Sequence, residues 1–182
     1  FPMELTREIA KEKNFKVDES GWETALKKHQ EISRAGAEKK FGGHGIGSVQ
    51  DKEAAEKMTR LHTATHLLHQ ALHDVLGSEA EVKQMGSDIT PERTRFDFTF
   101  PRKLTVEEIK KIENIVNEKI KMDLPVTAKK MLKEEALKLE ARAFFKEKYP
   151  DEVNVYSVGN PDLMKAYSKE FCDGPHVKNT GE

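Results

Sequence analysis

One long predicted helix between Asp51 and Leu76 limits most strongly how this chain can fold. Its mostly apolar positions recur at intervals of three and four residues, at Met58, Leu61, Thr65, Leu68, Leu72 and Val75. That spacing puts them on one face of a helix, and such a face is buried against other elements. A second stripe runs beside it, formed by His62, His66, His69 and His73. We therefore expect a helix that is packed on one side and carries histidines at the edge of the contact.

The segments after this helix predict strands mixed with helices. Apolar and polar residues alternate in 81–88 and 94–100, with turn residues between them, which predicts a β-hairpin. Thr105 and Glu108 form a capping box that starts a helix reaching Met122. Strands are predicted at 124–132, 152–159 and 163–172, and a helix at 133–149. No glycine-rich phosphate loop follows a strand, so the prediction is an α+β fold, a mostly antiparallel sheet packed with helices and preceded by a helical hairpin.

Three regions are predicted along the chain. Residues 1–40 are helix-prone, with Asp18 as the expected N-cap of an amphipathic run that contains Trp22. Residues 41–50 include four glycines within "FGGHGIGS", a composition that favours a flexible linker over a helix or strand. Residues 51–182 then form the main domain. The chain begins with Phe1, and we expect it to be a piece of a longer protein.

Charge and cysteine content indicate which partners and which cellular compartment suit this chain. The 182 residues contain 31 Lys and Arg against 32 Asp and Glu, so the chain lacks the overall basic charge that would indicate a nucleic-acid partner. One cysteine excludes an intrachain disulfide and suits a reducing compartment. The sequence shows neither a signal peptide nor a membrane span, so we predict a cytoplasmic protein with no membrane partner. No pattern indicates an oligomeric state.

Two pairs of residues with metal-binding side chains share a spacing of four. His62 and His66 lie one turn apart on the helix, about 6 Å between Cβ atoms, so both imidazoles can face one ion. Cys172 and His176 flank a Gly-Pro pair, which excludes a helix there and predicts a tight loop. Three imidazoles and one thiolate form a ligand set that suits Zn²⁺.

Spacing alone leaves a bound zinc and a metal-free polar cluster as open alternatives, because histidine pairs on helices are common without a metal. His69 and His73 have no second pair to complete them and are expected on the solvent side or behind the ligands. Metallopeptidases of the H-E-x-x-H type place a glutamate after the first histidine, where this chain has Thr63. Four protein ligands would also close a tetrahedral site, whereas a catalytic zinc keeps one position open. A peptidase is therefore disfavoured.

Three segments carry a family resemblance. "RLHTATHLLHQAL", "VKQMGSDITPERTRFDF" and "EFCDGPHVKNTGE" resemble, in order and spacing, the editing domain shared by alanyl-tRNA synthetases and their free-standing relatives. A homologous domain occurs in threonyl-tRNA synthetases, and the resemblance covers about residues 52–182. It implies Zn²⁺ held by His62, His66, Cys172 and His176. Residues 1–40 resemble the end of the tRNA-recognition helices of alanyl-tRNA synthetases.

The resemblance implies hydrolysis of Ser, and also Gly, wrongly esterified to tRNA(Ala). An activation pocket built for alanine excludes Ser or Gly poorly, because one small group is worth about 1–3 kcal/mol, so a second hydrolytic site is needed. We predict that Thr63 or Thr65 contacts the Ser hydroxyl and that Gln84 lines the same pocket, with ordinary helix packing as the alternative for each threonine. Thr63 is favoured of the two, because Thr65 lies on the apolar stripe of the helix. Asp173, beside the loop cysteine, is a candidate general base, and loop capping is its alternative role.

Other readings of the same residues stay open. The loop "CDGPHVKNTG" is more similar to the threonyl type, which implies editing of Ser-tRNA(Thr) as one alternative. A non-catalytic, zinc-stabilised RNA-binding module is the other. The implied partner is tRNA, bound at its mischarged acceptor end. Basic residues that could contact its phosphates are Arg93, Arg95, Arg102, Lys103, Lys129, Lys130 and Lys133.

Overall fold

The computed structural model describes residues 3–13, 15–39, 51–77, 82–143 and 149–182. The chain divides into two compact units, Phe1–Phe41 and Gly42–Glu182. The linker predicted at 41–50 lies outside the described residues, so the three-region division remains a prediction. Within the described ranges, no helix is both long and apolar enough to cross a membrane.

The described residues of the first unit form two helices, as predicted for a helical hairpin. Helix α1 spans Met3–Glu12 and helix α2 spans Glu19–Lys39. The Asp18 side chain accepts a hydrogen bond from the backbone N–H of Gly21, at 2.9 Å, which confirms Asp18 as the N-terminal cap of α2. Arg7 and Glu19 form an ion pair between the two helices, with Arg7 Nε 2.7 Å from a carboxylate oxygen.

The second unit contains three helices and five strands among its described residues. They are α3 (Lys52–Leu76), β1 (Lys83–Ile89), β2 (Thr94–Thr99), α4 (Val106–Lys121), β3 (Val126–Leu132), α5 (Lys133–Lys138), β4 (Glu152–Val158) and β5 (Ser168–Phe171). Asp51 caps α3 by accepting from the backbone N–H of Glu53. The capping box predicted for α4 is present, because Thr105 accepts from the Glu108 N–H and Glu108 accepts from the Thr105 N–H.

Both sheets are antiparallel, which confirms the α+β class. Strands β1 and β2 form the predicted hairpin, with a bulge between Gln84 and Gly86. Strands β3, β4 and β5 form the second sheet in that order, with β4 in the centre. A single parallel bridge joins Arg142 to Glu170 beside β5.

Helix α3 packs against both sheets and against α4. It contacts α4, both hairpin strands and β5. Its stripe buries Leu72 against Val82 and Ile112, while Met58 packs with Ile89 of the hairpin. A separate apolar core lies on the other face of the three-stranded sheet and includes Val155 and Phe171. Because its stripe is satisfied on one side, α3 presents its histidines toward β5 and the loop after it.

Two predicted elements are wrong in extent. The helix expected at 133–149 ends at Lys138, and Glu140 takes a left-handed backbone with φ of 56°. The chain turns there so that Arg142 can pair with β5, where its N–H donates to the Lys169 carbonyl and its carbonyl accepts from Phe171. Residues 144–148 of that prediction lie outside the described part. The strand expected at 163–172 is limited to Ser168–Phe171, because a turn capped by Asp162 precedes it.

Candidate metal centre

Helix α3 and the loop after β5 bring the four predicted ligands together. One ligand atom from each of His62, His66, Cys172 and His176 lies within 4.8 Å of the others. Three of these residues are buried, with exposed fractions of 2% for His62, 5% for His66 and 5% for Cys172, and His176 is half-buried. Two pairs that are more than a hundred residues apart therefore form one compact, mostly dehydrated cluster.

Hydrogen bonds fix the orientation of the His62 ring. Its Nδ1 lies 3.1 Å from the Pro175 carbonyl oxygen. A carbonyl only accepts, so Nδ1 carries the hydrogen and the neutral ring keeps a lone pair on Nε2. That Nε2 lies 3.3 Å from the Cys172 sulfur. The loop thus turns the ligand nitrogen of His62 toward the thiol.

Thr63 orients the second imidazole, that of His176. The hydroxyl oxygen lies 3.3 Å from the Thr59 carbonyl, 3.3 Å from the Val177 nitrogen and 3.0 Å from His176 Nδ1. With its hydrogen donated to Thr59, the hydroxyl accepts from both Val177 N–H and His176 Nδ1–H. The lone pair on His176 Nε2 then faces the Cys172 sulfur at 3.4 Å. All three hydrogen-bonding positions of the Thr63 hydroxyl are used within the protein.

A buried carboxylate supports the helix side of the cluster. Glu170 Oε1 lies 3.0 Å from His69 Nδ1, and Oε2 lies 3.9 Å from His66 Nε2. His69 Nε2 in turn lies 3.2 Å from His73 Nε2. His69 is 6% exposed, so of its two predicted places, on the solvent side or behind the ligands, the structure excludes the first, because Glu170 of β5 packs against that face of α3. Carboxylates placed behind metal-binding imidazoles are a common way to fix ring orientation.

Burial and nearby charges set the protonation of these groups. Burial raises the pKa of the Glu170 carboxyl, but His66, His69 and Arg142 outweigh burial and lower the pKa to about 2. Burial lowers the pKa of His66, which keeps this imidazole neutral and able to bind a metal. Burial raises the pKa of the Cys172 thiol to about 12, and a cation in the cluster would oppose that effect by binding the thiolate.

Gly174 lets the loop approach the helix. A Cβ added at this position would lie 2.2 Å from His62 Cε1 and 2.6 Å from His62 Nδ1. The His62 ring cannot move away freely, because its Nδ1 donates to the carbonyl of the next residue, Pro175. The predicted tight loop is confirmed, and glycine is required in it for steric reasons.

The chemistry of the donor set, and the two distances measured from the Cys172 sulfur, suit a tetrahedral zinc ion. Two ligand atoms bound at about 2.0–2.3 Å to a tetrahedral ion lie about 3.5 Å apart. The Cys172 sulfur lies 3.3 and 3.4 Å from the nearest nitrogens of His62 and His176. Each of these nitrogens presents a lone pair, and the fourth group, His66, is held neutral by burial. The four residues could hold one ion without a change of tautomer in His62 or His176.

The other predicted site residues, Thr65, Gln84 and Asp173, lie on three different parts of the second unit. Thr65 donates to the Leu61 carbonyl at 2.8 Å and lies 3.0 Å from the Thr94 hydroxyl, so it joins α3 to the hairpin. Gln84 lies on β1, the other hairpin strand in contact with α3. Asp173 is exposed and accepts a hydrogen bond from the Asn154 amide at 2.8 Å. Of these three, the structure puts Asp173 on the ligand loop itself.

Sequence reasoning missed Glu170 and Tyr156. The Tyr156 ring centroid is 4.3 Å from that of His176, and burial, together with Cys172 and Asp173, raises the pKa of its phenol. A signal for Glu170 was available, since residues two apart on a strand point to the same side and Glu170 precedes Cys172 by two. Tyr156 carried no comparable signal, because its neighbour His176 is twenty positions away in the chain.

Comparison with known proteins gives this region a family. Residues 153–182 match the family model described as "Threonyl and Alanyl tRNA synthetase second additional domain". The alanine–tRNA ligase of Treponema denticola is 50% identical over 181 residues, which are 100% of this chain and 28% of that protein. The chain belongs to the alanyl-tRNA synthetase editing-domain family. The family model covers the part of the editing domain that holds Cys172 and His176.

Two further relatives agree with that assignment of the editing-domain chain. The alanine–tRNA ligase of Treponema pallidum is 47% identical over 182 residues, again 100% of this chain and 28% of that protein. The alanine–tRNA ligase of Fervidobacterium nodosum is 48% identical over 137 residues, which are 75% of this chain and 15% of that protein. The chain thus spans 28% of the length of the two Treponema relatives.

Replacing Thr63 by valine is expected to weaken metal binding. The change removes the acceptor for His176 Nδ1–H and for the Val177 N–H while keeping the shape of the side chain. Loss of such an outer partner typically costs about 10- to 100-fold in metal affinity. Competition with a chromophoric zinc chelator would measure it. Thr65→Val is the matched control, because its hydroxyl bonds to Leu61 and Thr94, and an equal loss in both variants would contradict the orienting role.

Proposed function

We propose that this chain binds one Zn²⁺ through His62, His66, Cys172 and His176 and hydrolyses Ser, and also Gly, from mischarged tRNA(Ala). The observation that carries the proposal is the convergence of these four side chains within 4.8 Å, in a chain of the alanyl-tRNA synthetase editing-domain family. When bound, the zinc would supply a positive charge that orients the aminoacyl ester or polarises water beside it.

The residues around the cluster prepare a dry and rigid place for the ester. Thr63 and the Pro175 carbonyl hold two imidazoles in one tautomer, and a carboxylate oxygen of Glu170 lies 3.9 Å from His66 Nε2. Because these contacts exist before any substrate arrives, little reorganisation is needed when it binds. The aminoacyl ester is labile by nature, so placing it and a water molecule together supplies much of the required rate.

Selection of Ser is proposed to come from the hairpin side of α3. The Thr63 hydroxyl already makes three hydrogen bonds within the protein, which supports an orienting role for it. The Thr65 hydroxyl makes two hydrogen bonds, to the Leu61 carbonyl and with Thr94, so it keeps one position and is the better partner for a Ser hydroxyl. Gln84 on β1 is proposed to line the same pocket. A buried partner for the Ser hydroxyl distinguishes Ser from Ala, because Ala has no side-chain hydroxyl to form that bond.

Asp173 has two proposed roles that one variant separates. Its hydrogen bond from Asn154 supports the capping of the ligand loop, whereas its position beside Cys172 makes it a candidate general base. Asp173→Asn keeps a hydrogen-bonding oxygen and removes the base. Unchanged deacylation in that variant would leave only the capping role.

The proposed partner is tRNA, held at its acceptor end. Four of the seven predicted phosphate contacts are engaged in surface ion pairs: Arg93 with Asp88, Arg95 with Asp97, Arg102 with Glu108 and Lys130 with Glu152. The pairs of Arg93, Arg95 and Lys130 are exposed on both sides, so they are weak and can exchange for a phosphate. The pair of Arg102 is held more firmly, because both carboxylate oxygens of the partly buried Glu108 accept from it. Lys103, Lys129 and Lys133 complete the proposed set. Binding through phosphates predicts an affinity that falls steeply with salt concentration.

The test is deacylation of Ser-tRNA(Ala) with Ala-tRNA(Ala) and Ser-tRNA(Thr) alongside. Rapid loss of Ser from tRNA(Ala) only is the expected result. A preference for Ser-tRNA(Thr) would transfer the assignment to the threonyl type, which the "CDGPH" loop resembles. No hydrolysis of any substrate by zinc-loaded protein would reject the deacylase and favour the non-catalytic RNA-binding module.

A further inference from the structure

An exposed part of the three-stranded sheet lies directly beside the metal centre. Tyr156 occupies the middle of β4, and its ring is tilted by 45° against the ring of His176 at a centroid distance of 4.3 Å. Tyr156 is half-buried, so solvent reaches part of this residue. The metal centre therefore has an aromatic neighbour that a bound molecule could also touch.

The pairing of the strands shows which part of this sheet face is covered and which part is open to solvent. Tyr156 lies opposite Glu170 of β5 on one side and opposite Ala128 of β3 on the other. Residues directly opposite each other in antiparallel strands share a face of the sheet. Glu170 is buried and bonded to His69 of α3, whereas Ala128 is exposed. The small Ala128 side chain leaves the sheet open on that side of the Tyr156 ring.

A cation borders the open surface. Lys130 lies on the same face two residues beyond Ala128, opposite Asn154. Its ammonium is 2.6 Å from Glu152, but both side chains are more than half exposed, at 64% and 60%. An ion pair so exposed is worth about 0–1 kcal/mol and is readily exchanged. An accessible aromatic ring with a cation nearby is the combination that single-stranded nucleic-acid sites use.

We propose that the Tyr156 ring is a stacking surface for the terminal nucleobase of the substrate, on the open sheet face beside His176 and Ala128. This inference rests on the proposed function, because the base is joined to the ribose whose aminoacyl ester must reach the metal centre. Stacking on an aromatic ring is tolerant of base identity and suits an unpaired strand end. The ring, and not the phenol hydroxyl, makes the contact, so phenylalanine can replace it.

The test measures how much the base contributes to binding. Two inert probes are titrated by NMR: the 3′-amide analogue of seryl-adenosine, and the same ribose amide without its base. The dissociation constant of the probe without the base, divided by that of the probe with the base, is expected to be about 5–150 in the zinc-loaded wild type. That range follows from the usual strength of base–aromatic stacking. Tyr156→Phe should keep that ratio, and Tyr156→Leu should bring it close to one.

A matched control removes an aromatic ring elsewhere. Tyr167 lies outside the cluster, where its hydroxyl donates to Asp74, so Tyr167→Leu should retain the wild-type ratio. An unchanged ratio in Tyr156→Leu, with zinc content and melting temperature like those of the wild type, would overturn the stacking role. A ratio near one in the wild type would overturn it as well.

The same probes separate this inference from the proposed function. The amides are not hydrolysed, so the ratio is measured whether or not the chain is a deacylase. Loss of the ratio in Tyr156→Leu, even without hydrolysis of Ser-tRNA(Ala), supports the stacking surface while the deacylase proposal fails. Hydrolysis with an unchanged ratio in Tyr156→Leu overturns the stacking surface alone.

Discussion

Replacing Cys172 by alanine is expected to remove zinc binding and, with it, hydrolysis of Ser-tRNA(Ala). Cys172 is the only sulfur among the four proposed ligands, and its side chain contacts two of the three proposed ligand histidines, His62 and His176. Structural zinc sites bind with about 10–16 kcal/mol in total, so losing one of four ligands costs on the order of 3 kcal/mol, more than a hundredfold in affinity. Zinc content after dialysis and the deacylation rate are the two measurements.

The control for Cys172→Ala separates metal loss from misfolding. With zinc removed by a chelator, wild type and variant should melt at similar temperatures, since the change then removes only one small buried group, the Cys172 thiol. Added zinc should then raise the melting temperature of the wild type only, because a ligand that binds the folded state stabilises it. Equal stabilisation of both proteins by zinc would show that Cys172 is not a ligand.

Gly174→Ala is also expected to weaken zinc binding, although it changes none of the four proposed ligands. The new methyl group would meet the His62 ring at 2.2 Å, and that ring is held by the Pro175 carbonyl. Either the loop moves away from α3 or His62 leaves its rotamer, and both separate the Cys172 sulfur from the His62 nitrogen. We expect zinc affinity to fall by at least tenfold, in line with other changes that displace a ligand.

Gly86→Ala is the matched control for this prediction. A Cβ at Gly86 would lie 3.1 Å from Asp97 Oδ2, the end of a partly exposed side chain that can shift. Zinc affinity should therefore stay close to that of the wild type. If Gly174→Ala bound zinc as tightly as Gly86→Ala does, the close packing of the loop on His62 would not be needed for the metal centre.

The sequence was sufficient for elements whose signals are local. Asp51 and the box of Thr105 and Glu108 mark the starts of α3 and α4 because capping depends on residues within one turn. The hairpin followed from alternation and turn residues. The ligand pairs were also readable, since each pair is four residues apart, although their meeting across more than a hundred residues came from the family resemblance.

The sequence was insufficient where distant contacts decide the structure. The segment 133–149 has helical composition, yet the backbone bonds of Arg142 with Lys169 and Phe171 end the helix at Lys138. Glu170 and His69 became a buried pair only because β5 packs on α3. Each of these features depends on tertiary contacts, which override local preference and leave no pattern within a short window of sequence.

The central claim is that three imidazoles and one thiolate of this chain hold one zinc ion, and X-ray absorption at the zinc edge tests it most directly. Protein purified with zinc should contain one ion per chain, bound by one sulfur at about 2.3 Å and three nitrogens at about 2.0 Å. A shell of oxygen ligands without sulfur, or a chain that retains no zinc, would contradict the claim.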